Sequence, residues 1–371
     1  MGIAGLFNNC YQGKKVLVTG NTGFKGSWLS TWLLELGAEV YGISNGVPTQ
    51  PWSLFESNHL PAKINYIEAD IRDADAMRRL VGEIAPDFLF HLAAQPIVIR
   101  SYVDPVETMS TNIMGTVNIL EALRGLTRPC TAVMITSDKC YDNVEWIWGY
   151  RESDALGGKD PYSASKGAAE LMIKTYYHAF FSKPESLIRV TAVRAGNVIG
   201  GGDWAENRIV PDCIRAWSKQ ERAEIRSPQS TRPWQHVLEP LSGYLQAGER
   251  LAADPALNGE AFNFGPNADQ NHTVLELIHA IASVWGGSLD QLYEVIPPKA
   301  FHEAGLLKLN CDKALALLHW KPVMDFGQTT AFTAVWYKAF IEQTPDMYAF
   351  TVDQIAEYAR LARKKGLHWT T

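Results

Sequence analysis

Cysteine is scarce in this sequence, and its placement excludes more than its number does. The five cysteines, Cys10, Cys130, Cys140, Cys213 and Cys311, are odd in count, far apart and never in a Cys-x-x-Cys pair. That argues against a disulfide framework and against a zinc or other metal site, and it fits reduced thiols in a cytoplasmic setting. Basic runs are lacking too. The longest cluster, Arg363-Lys364-Lys365, ends a C-terminal helical pattern, where cations suit the helix dipole, and the net charge is −6. Nucleic acid is therefore a poor candidate partner. No apolar run is long enough to cross a membrane. Residues Met1 to Leu6 read as neither a signal peptide nor a myristoylation site. Repeats and low-complexity tracts are missing as well.

What is present is a chain of 371 residues, 46% of them hydrophobic, enough for one large domain or two modest ones sharing an interface. Its first half alternates strand and helix patterns. Strand-like runs are 16–19, 39–44, 64–69, 88–93, 132–137 and 188–195; helix-length segments are 27–36, 74–84, 106–123 and 161–181. Apolar runs with little alternation indicate strands buried on both faces, hence an α/β fold with a doubly wound parallel sheet. Asp160-Pro161 predicts a helix start, with Asp as N-cap and Pro at the first helical position. After Gly196 the pattern loosens. A strand at 261–264 and helices at 274–284, 329–340 and 352–364 remain legible. The division expected is a Rossmann-type domain over 1–196, with later returns near 236–270, and a smaller mixed α/β substrate-binding domain within 197–371.

Two constellations carry chemistry. In the first, a β-branched strand runs into Gly20, Gly23 and Gly26 and then into a helix. Glycine there lets the backbone turn and approach a phosphate, and the helix start offers N–H groups to a dinucleotide pyrophosphate. The alternative is an ordinary strand-to-helix turn. In the second, Tyr162 and Lys166 stand four residues apart on one helix face. A cation nearby favours phenolate, so Tyr162 is a candidate base at neutral pH. The pair follows Thr136-Ser137-Asp138-Lys139 at the carboxyl end of a strand, where ligands bind in such sheets, and Ser137 is placed to bond the hydroxyl that Tyr162 deprotonates.

Together these residues resemble the extended short-chain dehydrogenase/reductase family. The resemblance runs over nearly the whole chain: the glycine loop, Asp70-Ile71, His91-Leu-Ala-Ala-Gln95, Asn112, Ser137, Tyr162, Lys166 and Arg194-Ala-Gly-Asn197. Four longer strings, 23–29, 136–141, 196–204 and 232–237, are most similar to the 4,6-dehydratases that act on CDP-glucose. That resemblance implies conversion of CDP-D-glucose to CDP-4-keto-6-deoxy-D-glucose and water. C4 is oxidised, water is lost across C5–C6, and the hydride returns to C6.

It implies NAD as cofactor, held by Gly20, Asn21, Thr22, Gly23, Phe24, Lys25 and Gly26, by Ser44, Asp70 and Ile71, by Leu92, Ala93, Ala94 and Gln95, and by Tyr162 and Lys166. It implies Ser137, Tyr162 and Lys166 for oxidation, Asp138 as acid for the C6 hydroxyl, and Lys139 as C5 base or as electrostatic stabiliser of the enolate. Asn112 then supports a water path to the catalytic lysine. Gln95, Asn197, Arg208, Arg232 and His236 are implied on the substrate side, with His236 alternatively a packing residue. The family also implies a homodimer through helices within 106–123 and 161–181, burial under the second domain being the other reading. One departure is the neutral Ser44-Asn45, where an acid is expected to hold the adenosine ribose; it leaves NAD against NADP open. An epimerase or simple oxidoreductase on the same scaffold needs neither Asp138 nor Lys139. A third reading is a cofactor-sensing protein without catalysis.

Overall fold

The computed structural model describes residues 2–48, 52–286, 288–297 and 306–371. At its centre lies a seven-stranded sheet whose neighbouring strands all run parallel. In chain order the strands are β1 (Lys15–Thr19), β2 (Glu39–Ser44), β3 (Asn65–Glu68), β4 (Phe88–His91), β5 (Cys130–Ile135), β6 (Ile188–Ala195) and β7 (Ala261–Phe264). Their spatial order is β7-β6-β5-β4-β1-β2-β3. The chain winds outward from β1 to β3, then crosses back to β4 and winds the other way. The reversal between β1 and β4 opens a crevice at the strands' carboxyl ends, where a dinucleotide fits.

The longer helices are α1 (Phe24–Glu35), α2 (Ala74–Ile84), α3 (Gly115–Arg124), α4 (Pro161–Tyr176), α5 (Ile209–Ser218), α6 (Leu238–Ala253), α7 (Val274–Trp285), α8 (Phe326–Ile341) and α9 (Met347–Lys364). One core gathers Met77 and Leu80 of α2, Ile119 and Leu120 of α3 and Ile173 of α4 on one sheet face. The larger core gathers Trp28 and Trp32 of α1, Leu241 of α6 and Tyr358 of α9 on the other. α1 is buried from Gly26 to Leu33 because it lies between the sheet and α9. Trp32 meets Tyr358 edge-on at 5.9 Å, and the Trp28 indole donates to the Gly201 carbonyl at 2.9 Å.

β4 and β5 are buried at every residue, as parallel strands covered on both faces should be. β3 departs from that expectation: Asn65 and Glu68 are exposed, because an edge strand has a neighbour on one side only. Asp160 caps α4 as expected, accepting from the Ser163 N–H at 2.9 Å with Pro161 at the first helical position. The continuous helix expected over 106–123 is broken. A short helix, Pro105–Met109, runs into a widened π turn, Ser110–Met114, before α3. An extra residue in a turn re-aims a side chain, and here it turns Asn112 inward. The segment 161–181 likewise widens after Tyr176. α5 and α6 went unread in the sequence. α6 packs on the larger core while β7 joins the sheet beside β6.

Candidate active site

The glycine loop is built by close approach. α1 starts at Phe24, three residues earlier than the sequence pattern suggests, with Gly23 as an N-cap that carries no side-chain cap. A Cβ at Gly20 would stand 2.7 Å from the Ala93 nitrogen, and one at Gly26 would stand 2.1 Å from the Gly20 carbonyl oxygen. β1, the loop and the end of β4 therefore pack too tightly for any side chain, and the first turn of α1 is left open to an anion. Asn21 is buried against Gly42 with neither amide atom partnered, a polar group that a bound dinucleotide would satisfy. Thr22 donates to Ser44 at 3.0 Å and to the Gly46 carbonyl at 2.8 Å, which ties the loop to the end of β2. These residues fit a dinucleotide.

Asp70 spends its carboxylate on Arg72, and its pKa is held below the usual carboxylate range by that guanidinium. The Ile71 carbonyl accepts from Asn118 at 2.9 Å. Leu92, Ala93 and Ala94 follow β4, and the Leu92 N–H returns to the Thr19 carbonyl at 3.1 Å. The Gln95 side chain turns inward, donating to Thr108 at 2.8 Å and accepting from Ile97 at 2.6 Å. Asn112 grips the same loop, accepting from the Gln95 N–H at 2.8 Å and donating to the Gln95 carbonyl at 3.1 Å and to Ser165 at 2.8 Å. It thereby ties the β4 loop to α4.

Tyr162 and Lys166 are both buried on one face of α4. Burial pushes the phenol up to about 12, opposed by a hydrogen bond with Ser137; the Asp138 charge adds to the rise and Arg208 opposes it. Burial, rather than a neighbouring lysine, dominates this group in the protein alone. Lys166 itself is lowered to about 8 by burial. Ser137 donates to Asp138 at 2.9 Å. The Asp138 carboxylate lies on the backbone of Gly196, where a Cβ would stand 1.7 Å from Oδ2; only glycine admits it. Lys139 is exposed, with its Nζ 5.9 Å from the centre of the Tyr162 ring. Lys25 points inward from α1. Its ammonium is lowered to about 8 by burial and by Arg208, against Asp138.

A cleft of about 230 Å³ opens beside Asp138, Gly196 and Asn197 and is lined also by Gln235, Asn267 and Asn310. Asn197 holds a left-handed backbone (φ 53°). Arg208 reaches Asp203 at 2.7 Å. Arg232 lies in a short antiparallel pairing with His272. His236 is placed elsewhere. It has no exposed surface, it packs edge-on to Trp28 and Phe332, burial lowers it to about 3, and its Nε2 lacks a partner. A neutral ring between two aromatics is a packing position. Sequence reasoning missed the buried pair Glu170–Arg194, bidentate at 2.8 Å. Glu170 falls one turn after Lys166 on the same buried face, a spacing that could have drawn attention to it.

A family model described as GDP-mannose 4,6 dehydratase matches residues 17–332. A CDP-glucose 4,6-dehydratase from Salmonella typhimurium is 45% identical over 353 residues, covering 94% of this chain and 97% of its own. A dTDP-glucose 4,6-dehydratase from Xanthomonas campestris pv. campestris is 23% identical over 337 residues, covering 86% and 92%. Among solved structures, the dTDP-glucose 4,6-dehydratase DesIV from Streptomyces venezuelae, solved with NAD bound, superposes with a TM-score of 0.74 at 21% identity, over 90% of this chain and 99% of its own. The sheet, the crevice and a model match over most of the chain agree, and the chain belongs to the GDP-mannose 4,6 dehydratase family of extended short-chain dehydrogenase/reductases.

Proposed function

We propose that this protein dehydrates CDP-D-glucose to CDP-4-keto-6-deoxy-D-glucose, with NAD as a regenerated cofactor, in the cytoplasm. The observation that carries the reading is the seating of Asp138, a carboxylate placed beside the Ser137–Tyr162–Lys166 group and at the mouth of a cleft. Oxidation at C4 needs one base; loss of water across C5–C6 needs an additional acid and base. Tyr162 takes the proton of the C4 hydroxyl while Ser137 bonds the same oxygen and Lys166 supplies positive charge. When bound, NAD supplies the acceptor for the C4 hydride and its return to C6. A ketone at C4 acidifies the C5 hydrogen, and Asp138 protonates the departing C6 hydroxyl. Lys139 serves as the C5 base or, through its charge, as stabiliser of the enolate. Arg208, Arg232 and Asn197 suit the pyrophosphate.

The substrate class is a nucleotide sugar, and the cytosine base is carried by the 45% identity to a CDP-glucose enzyme. Purified protein given CDP-, dTDP-, GDP- and UDP-glucose should release a product lighter by one water from the CDP sugar alone. An isomer of unchanged mass would establish the epimerase reading instead. Val103, Val106, Met114 and Leu171 are exposed apolar side chains on or near the helices 98–114 and α4. A second copy packing there is the proposed partner. Light scattering should give a dimer at micromolar concentration, and a monomer would refute it.

A further inference from the structure

Glu170 sits at a junction that none of the proposed chemical roles uses. It is nearly fully buried on α4, one turn beyond Lys166. Its two carboxylate oxygens accept from Arg194 Nε and Nη2, both at 2.8 Å, and the Thr136 hydroxyl donates to its Oε1. Thr136 immediately precedes Ser137 and Asp138. Arg194 lies two residues before Gly196, the backbone on which Asp138 rests. Arg194 also donates to the Tyr141 hydroxyl at 2.6 Å and to the Glu152 carbonyl at 3.3 Å. Tyr141 in turn donates to Asn263 of β7 at 2.8 Å. One carboxylate therefore joins the end of β5, the end of β6 and the helix bearing Tyr162 and Lys166.

We propose that Glu170 is a positioning residue for the dehydration: it locks Thr136 and Arg194 against α4 so that Ser137, Asp138, Gly196 and Tyr162 converge. The inference rests on the proposed roles of Tyr162 and Lys166. Its test is the double variant Glu170→Gln/Arg194→Met, which removes both buried charges together and so leaves neither uncompensated. With CDP-glucose as substrate, kcat should fall roughly tenfold or more at unchanged KM. A folded double variant with the parental kcat overturns the proposal. Glu170→Asp keeps the charge but draws the carboxylate back by one methylene. It should lose kcat at constant KM, and parental kcat there overturns the positioning claim even where the double variant does not fold. Tyr162→Phe run alongside separates the two readings. Full activity in it sinks the assigned chemistry, whereas an inactive Tyr162→Phe beside unaltered Glu170 variants sinks this inference alone.

Discussion

Replacing Asp138 by asparagine should separate water loss from oxidation. Asn is nearly isosteric, so the side chain can keep its seat on the Gly196 backbone and its bond from Ser137 at 2.9 Å. What it loses is a carboxyl group able to hand a proton to the C6 hydroxyl. Loss of a positioned general acid costs about 10²–10⁴-fold, and that loss should fall on the elimination step. The oxidation step uses Ser137, Tyr162 and Lys166, all of which the variant keeps. The variant should form the 4-ketone as readily as the parent and then stall. The assay is a single turnover with CDP-glucose. Reduced nicotinamide absorbance should build up and persist, and mass analysis should find a 4-keto sugar that keeps its C6 oxygen. Parental dehydration with no build-up of reduced cofactor would refute the acid role and remove the main mechanistic support for a dehydratase.

Three further outcomes follow from the geometry. Tyr162→Phe loses one hydroxyl and should cut turnover by about 10²–10⁴-fold with an unaltered thermal melt; near-normal turnover would show that another group is the base. Gly26→Ala places a Cβ 2.1 Å from the Gly20 carbonyl and should abolish NAD binding, read by calorimetric titration with NAD; parental affinity would count against the loop as the pyrophosphate site. Glu239 accepts from the Val323 and Met324 N–H groups and from the Tyr358 hydroxyl, so Glu239→Ala should destabilise by roughly 3 kcal/mol in a denaturant titration. Burial raises Glu239 from 4.5 to about 7, so the folded state binds the extra proton between those values. Its contribution is therefore fully present below about pH 4.5 and is lost as pH rises to 7. Glu239→Gln should flatten that slope, and an unchanged slope would refute the linkage.

The alternation of apolar runs and capped helices was legible because buried parallel strands and amphipathic helices impose their periods on the chain locally. β1, β2, β6 and β7 fall within a residue of where the sequence puts them, and Asp160-Pro161 starts α4 as read. The π turn at Ser110–Met114 was not legible, since its residues have ordinary helical character. It arises because Asn112 satisfies the backbone of a loop seventeen positions earlier. His236 shows the opposite limit. Its motif pointed to substrate, but the fold closes Trp28 and Phe332 over it.

By itself the sequence determined the parallel sheet, the glycine loop at the first strand-to-helix turn and the Tyr162–Lys166 face, because each depends on neighbours within one or two turns of chain. Tertiary structure alone decided which charges meet. Glu170 finds Arg194 across 24 positions, and Asp138 finds the bare backbone of Gly196 across 58. Burial, which sets how each of these groups holds its proton, exists only once distant segments have packed together and excluded water.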